Sequence, residues 1–186
     1  DPNERVAHYS AIALGTVGKE SVIPHLAKLL KHPQASVRCA AVQGLCSIGS
    51  SRVVKYVCAM LHDEDWVTRL TAAKGFGLVK SRTCIPYLVE SLESDQEWSV
   101  RLHAAISLGE IGVKKDAVPA LVAALKDPKS NVRRGACEAL ARLADESSLE
   151  ALQAASRDDD DKVANAAKQA MIRSEEHTSE LQSRQS

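Results

Sequence analysis

The chain has 186 residues, of which 45% are apolar and 26% charged, so it fits one soluble domain or a short repeat array that can bury a core. Aromatic residues make up only 3% and proline only six residues, which argues against a β-sandwich or barrel and favours closely packed helices. Basic and acidic residues number 24 each, and this balance argues against general binding to nucleic acid or acidic membranes.

The first element in chain order belongs to a segment that recurs at intervals of 31 or 32 residues. Its copies begin at residues 6, 37, 68, 100, 132 and 163. In the copy VRCAAVQGLCSIG, Val37, Ala41 and Leu45 follow the 3.6-residue period of one helix face. We call this predicted element helix B. Glycines that can end it in a left-handed conformation are Gly18, Gly49 and Gly112, and side chains that can cap its start are Ser36, Ser99 and Asn131.

A second segment alternates with helix B and is predicted to form a helix A. Its clear copies span residues 21–30, 83–92 and 117–126, and its looser copies span 52–61 and 148–157. The prolines that fall in its predicted first turn, where a missing N–H costs little, are Pro24, Pro86 and Pro119. Five A segments and six B segments give five helix pairs after an N-terminal half repeat. Because the chain starts inside a repeat, we expect a fragment of a longer array.

An aspartate and an arginine recur six residues apart in three of the repeats. The pairs are Asp63 with Arg69, Asp95 with Arg101, and Asp127 with Arg133. Arg38 takes the same place in the first complete repeat, where His32 stands at the aspartate position. A turn aspartate can accept backbone N–H groups and the arginine of its own or the adjoining repeat. The spacing therefore predicts a structural ladder, with solvated charges that align by chance as the alternative.

These residues carry a resemblance to a known family. The pattern D-x5-R-x2-A-A-x2-L-G-x-I-G, followed by V-P-x-L-x3-L, resembles HEAT repeats and, more closely, the short subclass named after the phycobilisome lyases. The resemblance covers residues 1–172. It implies an all-α fold, an α-solenoid of about five HEAT-like helix pairs plus the N-terminal half repeat, whose B helices line a concave protein-binding face.

The last residues of the chain lack this pattern. Residues 173–186 read RSEEHTSELQSRQS, which resembles the translation of a sequencing-library adapter. We therefore expect a non-native tail that is disordered or poorly packed. A genuine polar tail is the alternative.

Reactive side chains show no catalytic or metal-binding spacing. The five cysteines contain no C-x-x-C, so we interpret them as reduced packing residues of a cytoplasmic protein. The histidines do not recur at one repeat position, and we predict no metal, no cofactor and no catalytic residue. Deoxyhypusine hydroxylases, which have a HEAT-like fold, hold di-iron with His-Glu dipeptides. The chain has no such dipeptide, so that activity is rejected.

The B-helix positions one, five and nine residues after the arginine point away from the apolar stripe. The residues predicted to contact a partner there are Leu70, Lys74, Leu78, Leu102, Ile106, Arg134 and Arg142. The alternative is a different helical phase that places the leucines in the core. Trp66 and Trp98 each follow the repeat's aspartate by three residues and are predicted interface anchors. Alternatively, each indole covers its own turn.

The favoured function is a non-catalytic scaffold that presents the B-helix face to a protein partner. No nucleic acid and no membrane insertion are expected, since no apolar run approaches the roughly 18–20 residues that span a bilayer. The alternative implied by the resemblance is a phycobilin lyase-type subunit or chaperone. That alternative would bind a phycobiliprotein and a bilin and assist attachment or removal of the chromophore.

Overall fold

The computed structural model describes the backbone of residues 2–183 and the side chains of residues 3–176, and every regular element in this range is helical. The odd-numbered helices are the predicted B helices: α1 Pro2–Val17, α3 Ala35–Ser47, α5 Trp66–Val79, α7 Trp98–Ile111, α9 Ser130–Leu143 and α11 Asp161–Ser183. The even-numbered helices are the A helices: α2 Ile23–Leu29, α4 Val54–Val57, α6 Ile85–Ser94, α8 Lys114–Ala124 and α10 Leu149–Ala155. The all-α repeat architecture is confirmed.

The helices form two compact units, the first ending at Tyr87 and the second starting at Leu88. In the first unit, B helix α3 packs against α1, α5 and its A helix α2. In the second unit, α9 packs against α7, α11 and its A helix α8. Each unit is therefore a stretch of α-solenoid in which a helix buries its apolar face on its neighbours. No helix of the described residues is long and apolar enough to cross a membrane.

The predicted glycine stops of the B helices are confirmed. Gly18, Gly49 and Gly112 have φ of +66°, +70° and +78°, the left-handed conformation in which glycine carries no Cβ penalty. Lys80 and Ala144 end their helices at the equivalent repeat position with φ of 50° and 46°. A left-handed residue therefore ends the B helix in repeats with and without glycine, but the sequence indicates this end only where the residue is glycine.

The predicted N-caps of the B helices are wrong by two residues. The N-cap position is Glu97 in α7 and Lys129 in α9, and neither side chain makes a cap bond. Ser99 and Asn131 therefore lie inside the first turn, as does Ser36 in α3. In α7 and α9 the turn aspartate accepts the N–H of the residue two positions on, which favours an earlier helix start, and in α3 the Nδ1 of His32 does the same for Gln34. Asp127 does this for Lys129, with a distance of 2.8 Å from its Oδ1 to the backbone nitrogen.

The prolines of the A helices also differ between repeats. Pro24 and Pro86 lie in the first turn of α2 and α6, as predicted, each after a short 3-10 turn. Pro119 instead lies inside α8, because there the helix starts at Lys114 and absorbs the segment that forms the 3-10 turn elsewhere.

Close approach of B helices in the first unit depends on two glycines. A Cβ added to Gly15 would collide with the Cα of Gly44, and one added to Gly44 would lie 2.7 Å from the carbonyl oxygen of Ala11. Alanines of the B helices are fully buried in both units, namely Ala41, Ala72, Ala105, Ala136 and Ala167. Small side chains therefore set how near successive helices lie.

The end of the chain continues the last B helix. Residues 173–183 belong to α11, so their backbone is helical where the sequence analysis expected a disordered or poorly packed tail. Between Asp161 and Ser183 there is no glycine or proline to stop the helix. Ser174 is buried and donates from its hydroxyl to the carbonyl of Ala170 at 3.1 Å. The adapter origin of this segment stays a prediction, and residues 184–186 lie outside the described range.

Candidate functional site

The ladder of arginines and aspartates is built at the turns between A and B helices. In the first unit, Arg38 donates from Nε and Nη2 to the two carboxylate oxygens of Asp63, each at 2.8 Å. Its Nη1 donates to the carbonyl oxygens of His32 at 3.0 Å and Pro33 at 2.9 Å. Arg38 contacts the backbone carbonyl of His32 and not its side chain, so the first repeat keeps its rung without an aspartate there.

The second unit repeats this geometry twice. Arg101 donates to both carboxylate oxygens of Asp127 at 2.7 and 3.0 Å, and Arg133 donates to both of Asp158 at 2.7 Å. The Nη1 of Arg101 also donates to the carbonyl of Asp95, six residues earlier, at 2.7 Å. Each of these arginines therefore joins the backbone of its own repeat to the carboxylate of the next.

The sequence left open whether each arginine pairs with the aspartate of its own repeat or of the adjoining repeat, and the structure shows which one it uses. Within a repeat, the six-residue spacing serves the carbonyl, as in the 2.9 Å bond from Arg69 Nη1 to the oxygen of Asp63. The carboxylate comes from the adjoining repeat in the three described forks. Asp158 is a ladder residue that sequence reasoning missed, because Ala164 stands where its own repeat would carry the arginine. Asp158 follows Asp127 by one repeat length, and this equivalent position was the signal that could have identified it as a ladder residue.

Because these ion pairs are shielded from water, they can contribute more to stability than exposed pairs do. The side chains of Arg38 and Asp63 are only 9% and 5% exposed. Burial alone raises the pKa of Asp63, but hydrogen bonds from Arg38 and from the Asp65 N–H, with the charges of Arg38 and Arg69, hold it below its usual value. The hydrogen bonds to Asp63 in turn raise the pKa of Arg38. The ladder is thus a set of ion pairs that join repeats, buried at Arg38 and Asp63 and partly buried at Arg133 and Asp158.

The predicted contact positions on the B helices of the first unit remain at the surface. On α5, Leu78 is 62% exposed, Lys74 is exposed and Leu70 is half-buried. Gln43 on α3 is exposed as well. Leu70, Lys74 and Leu78 lie one helical turn apart on α5 and form a strip of which the core uses only part, at Leu70.

On the second unit, part of the predicted contact set serves helix packing. Leu102 and Ile106 on α7 are half-buried. A Cβ added to Gly135 on α9 would collide with Cδ1 of Leu102, so this leucine packs against the next B helix. Ile106 is available only in part, and the role of both residues in partner binding stays a prediction.

Arg134 and Arg142 line a groove of about 760 Å³ between α9 and α11. The other polar residues that line this groove are Glu138, Lys162, Asn165, Gln169, Arg173 and Glu176. Glu138 holds the middle position of the predicted face on α9. Sequence reasoning did not single out the residues of α11, although Asn165 and Gln169 occupy the same repeat positions as Arg134 and Glu138. The groove thus runs along the predicted face.

The two tryptophans begin their helices. Trp66 is the first residue of α5 and is 45% exposed, whereas Trp98 is the first residue of α7 and is 37% exposed. Each indole therefore offers part of its surface to a partner and buries the rest. Such half-exposure fits both sequence interpretations, and the anchor role stays a prediction.

Three of the five cysteines lie in the core. Cys46, Cys84 and Cys137 are buried, and burial raises the pKa of their thiols to about 12, 11 and 12. These thiols stay protonated, as expected of inert packing residues. Among the described residues, no group of three or more histidine, cysteine, aspartate or glutamate side chains could hold a metal ion.

Comparison with known proteins places these features in context. The family model for HEAT repeats matches residues 1–77, 55–117 and 85–172. Phycocyanin operon protein Z of Pseudanabaena tenuis is 28% identical over 121 residues, covering 61% of this chain and 59% of that protein. Deoxyhypusine hydroxylase of Eremothecium gossypii is 36% identical over 75 residues, covering 39% of this chain and 23% of that enzyme.

A solved structure has a similar fold. The complex of CpcE and CpcF of phycocyanin lyase from Nostoc sp. matches with a TM-score of 0.67 at 17% identity, covering 82% of this chain and 99% of that chain. At this identity the match bears on the fold alone. The chain spans about three-fifths of one curated relative and about a quarter of the other. The predicted resemblance to the phycobilisome-lyase subclass of such repeats is confirmed.

Proposed function

Because the chain belongs to the HEAT-repeat family, we propose that it is a non-catalytic scaffold that binds another protein through the exposed faces of its B helices. Stacked repeats offer an extended surface, and surfaces of this kind suit contact with another macromolecule. The partner is a protein of unknown identity. Free cysteines support a cytoplasmic location, since a reducing compartment keeps thiols unpaired.

The observation that carries this proposal is the strip on α5. A single exposed leucine is ordinary on a protein surface. Leu78, however, shares one helix face with half-buried Leu70 and exposed Lys74, so apolar and charged contacts lie side by side. An apolar centre with a polar margin is the usual composition of a protein interface. Phe76 and Val79 already fill the core from this helix, so Leu78 is free for a partner.

Replacing Leu78 by aspartate should release the partner without unfolding the scaffold. We expect affinity for a co-purifying protein to fall about tenfold or more, the scale of an interface hot spot. The measurement is binding of the purified partner by biolayer interferometry, with thermal unfolding recorded for each variant. Lys28→Asp, on the exposed side of A helix α2, is the matched control and should bind as wild type does. Equal binding by Leu78→Asp and wild type would contradict the proposal.

A second candidate is a phycobilin lyase-type subunit or chaperone that assists attachment of a bilin to a phycobiliprotein or its removal. Its support is the similarity to phycocyanin operon protein Z and to the phycocyanin lyase complex. The exposed faces of Trp66 and Trp98 each supply an aromatic surface on which a tetrapyrrole can stack.

Titration with a free bilin separates the two candidates. The lyase-type candidate predicts a saturable change in bilin absorbance that Trp66→Leu or Trp98→Leu reduces. Tyr9→Leu, an exposed aromatic substitution on α1, serves as the control and should leave the change intact. A bilin spectrum that does not change on addition of the protein would exclude this candidate and leave the scaffold.

A further inference from the structure

The groove between α9 and α11 carries an ordered pattern of charge along one wall. Arg134, Glu138 and Arg142 lie four residues apart on α9 and all line the groove. Because an α-helix rises 1.5 Å per residue, successive members of this row are about 6 Å apart along the helix axis. The wall therefore presents a positive, a negative and a positive group at a regular spacing.

The opposite wall carries amides between two cations, Lys162 and Arg173, and the carboxylate of Glu176 lies beyond them. Lys162 lies at the start of α11, and Asn165 and Gln169 follow at helical spacing. Amide side chains can donate to and accept from the backbone of a bound chain. Ala141 and Ala166 also line the groove, and their small side chains leave room for a backbone to approach. The groove therefore fits an extended polypeptide better than a compact ligand.

The side chains of an extended polypeptide recur at a spacing close to that of the charged row on α9. Side chains on one side of a strand recur every second residue, about 6.6 Å apart. A segment that runs along α9 can therefore place an acidic, a basic and an acidic side chain opposite Arg134, Glu138 and Arg142 in turn. The match uses no residue of the adapter-like segment, which begins at Arg173 and contributes Arg173 and Glu176 to the lining of the groove.

We propose that the groove between α9 and α11 binds an extended protein segment in which two acidic residues flank a basic one, each separated by a single residue. This inference rests on the scaffold function and names the chemistry of one partner segment. The ion pairs now present, Arg134 with Glu138 at 3.3 Å and Arg142 with Glu110 at 3.7 Å, join exposed or half-exposed side chains. Such pairs contribute little and can exchange for contacts with a ligand.

The test compares two labelled peptides by fluorescence anisotropy with the whole chain. One peptide carries Glu-Ser-Lys-Ser-Glu, and the other carries the reversed charges Lys-Ser-Glu-Ser-Lys, with the same flanking residues. We expect the first to bind about fivefold tighter at low salt, as several exposed charge pairs would give. The triple variant Arg134→Glu, Glu138→Lys, Arg142→Glu should invert this preference. Arg82→Glu, an exposed position in the first unit, changes net charge by the same amount and should preserve it.

Three outcomes would overturn the inference. One is equal binding of the two peptides, and another is a triple variant that keeps the wild-type preference. The third is tighter binding of single-stranded DNA than of either peptide, which would make the groove a general anion site. If the peptide test contradicts the groove proposal while Leu78→Asp still releases the partner, the scaffold function stands without this inference. If Leu78→Asp retains the partner, the scaffold proposal fails by its own test.

Discussion

Replacing Arg38 by alanine should lower the free energy of unfolding of the first unit by about 3–5 kcal/mol, the scale for breaking a buried ion pair. The substitution leaves the carboxylate of Asp63, only 5% exposed, without its bidentate cation. It also removes the donor to the carbonyl oxygens of His32 and Pro33. Urea unfolding followed by circular dichroism measures the loss.

An exposed pair in the same unit is the control. Arg52 and Glu20 lie 2.7 Å apart with side chains 73% and 47% exposed, so Arg52→Ala should cost only about 0–1 kcal/mol. Removing both members of the buried rung, as Arg38→Met with Asp63→Leu, should recover much of the loss because no unpaired charge remains. Similar losses from Arg38→Ala and Arg52→Ala would show that the rung behaves as a surface pair.

The same rung should make stability sensitive to acid. The pKa of Asp63 is lower in the folded chain than in the unfolded chain, where it is about 3.9. Its stabilising contribution is therefore complete above that unfolded value and is lost as the pH falls through the folded value. Unfolding free energy measured at decreasing pH should fall less steeply for the double variant than for wild type.

Replacing Phe76 by alanine should lower the unfolding free energy by about 3–5 kcal/mol, as expected for loss of a buried aromatic ring. Phe76 is the only phenylalanine of the chain and is fully buried in α5. The neighbouring helix α3 can close only part of the space that the ring leaves, because it already lies so near α5 that a Cβ on Gly75 would collide with Sγ of Cys46.

Tyr9→Ala is the control for that substitution. Tyr9 is 62% exposed on α1, so its removal should change the unfolding free energy by no more than about 0.5 kcal/mol. Phe76→Leu should fall between the two, since it keeps most of the buried apolar volume. Equal midpoints of thermal unfolding for Phe76→Ala and wild type would contradict the burial of this ring.

Local features of the sequence determined the helices and their order. The 3.6-residue period placed Val37, Ala41 and Leu45 on one buried face, and all three are fully buried. Glycine at positions such as Gly49 determined where a B helix stops, because a left-handed residue is a local requirement. These predictions succeeded because periodicity and backbone preference act within one or two helical turns.

Partners in neighbouring repeats were decided only by the tertiary structure. The spacing from Asp127 to Arg133 suggested a pair, yet the carboxylate acceptor of Arg133 is Asp158, one repeat further on. Likewise Leu102 packs where Gly135 leaves space, and Asn165 faces a groove that exists only once α9 and α11 lie side by side. The physical reason is that these partners are about 30 residues apart in the chain. Their contact depends on how one repeat is rotated and shifted on the next, and that arrangement results from the sum of many packing contacts between repeats.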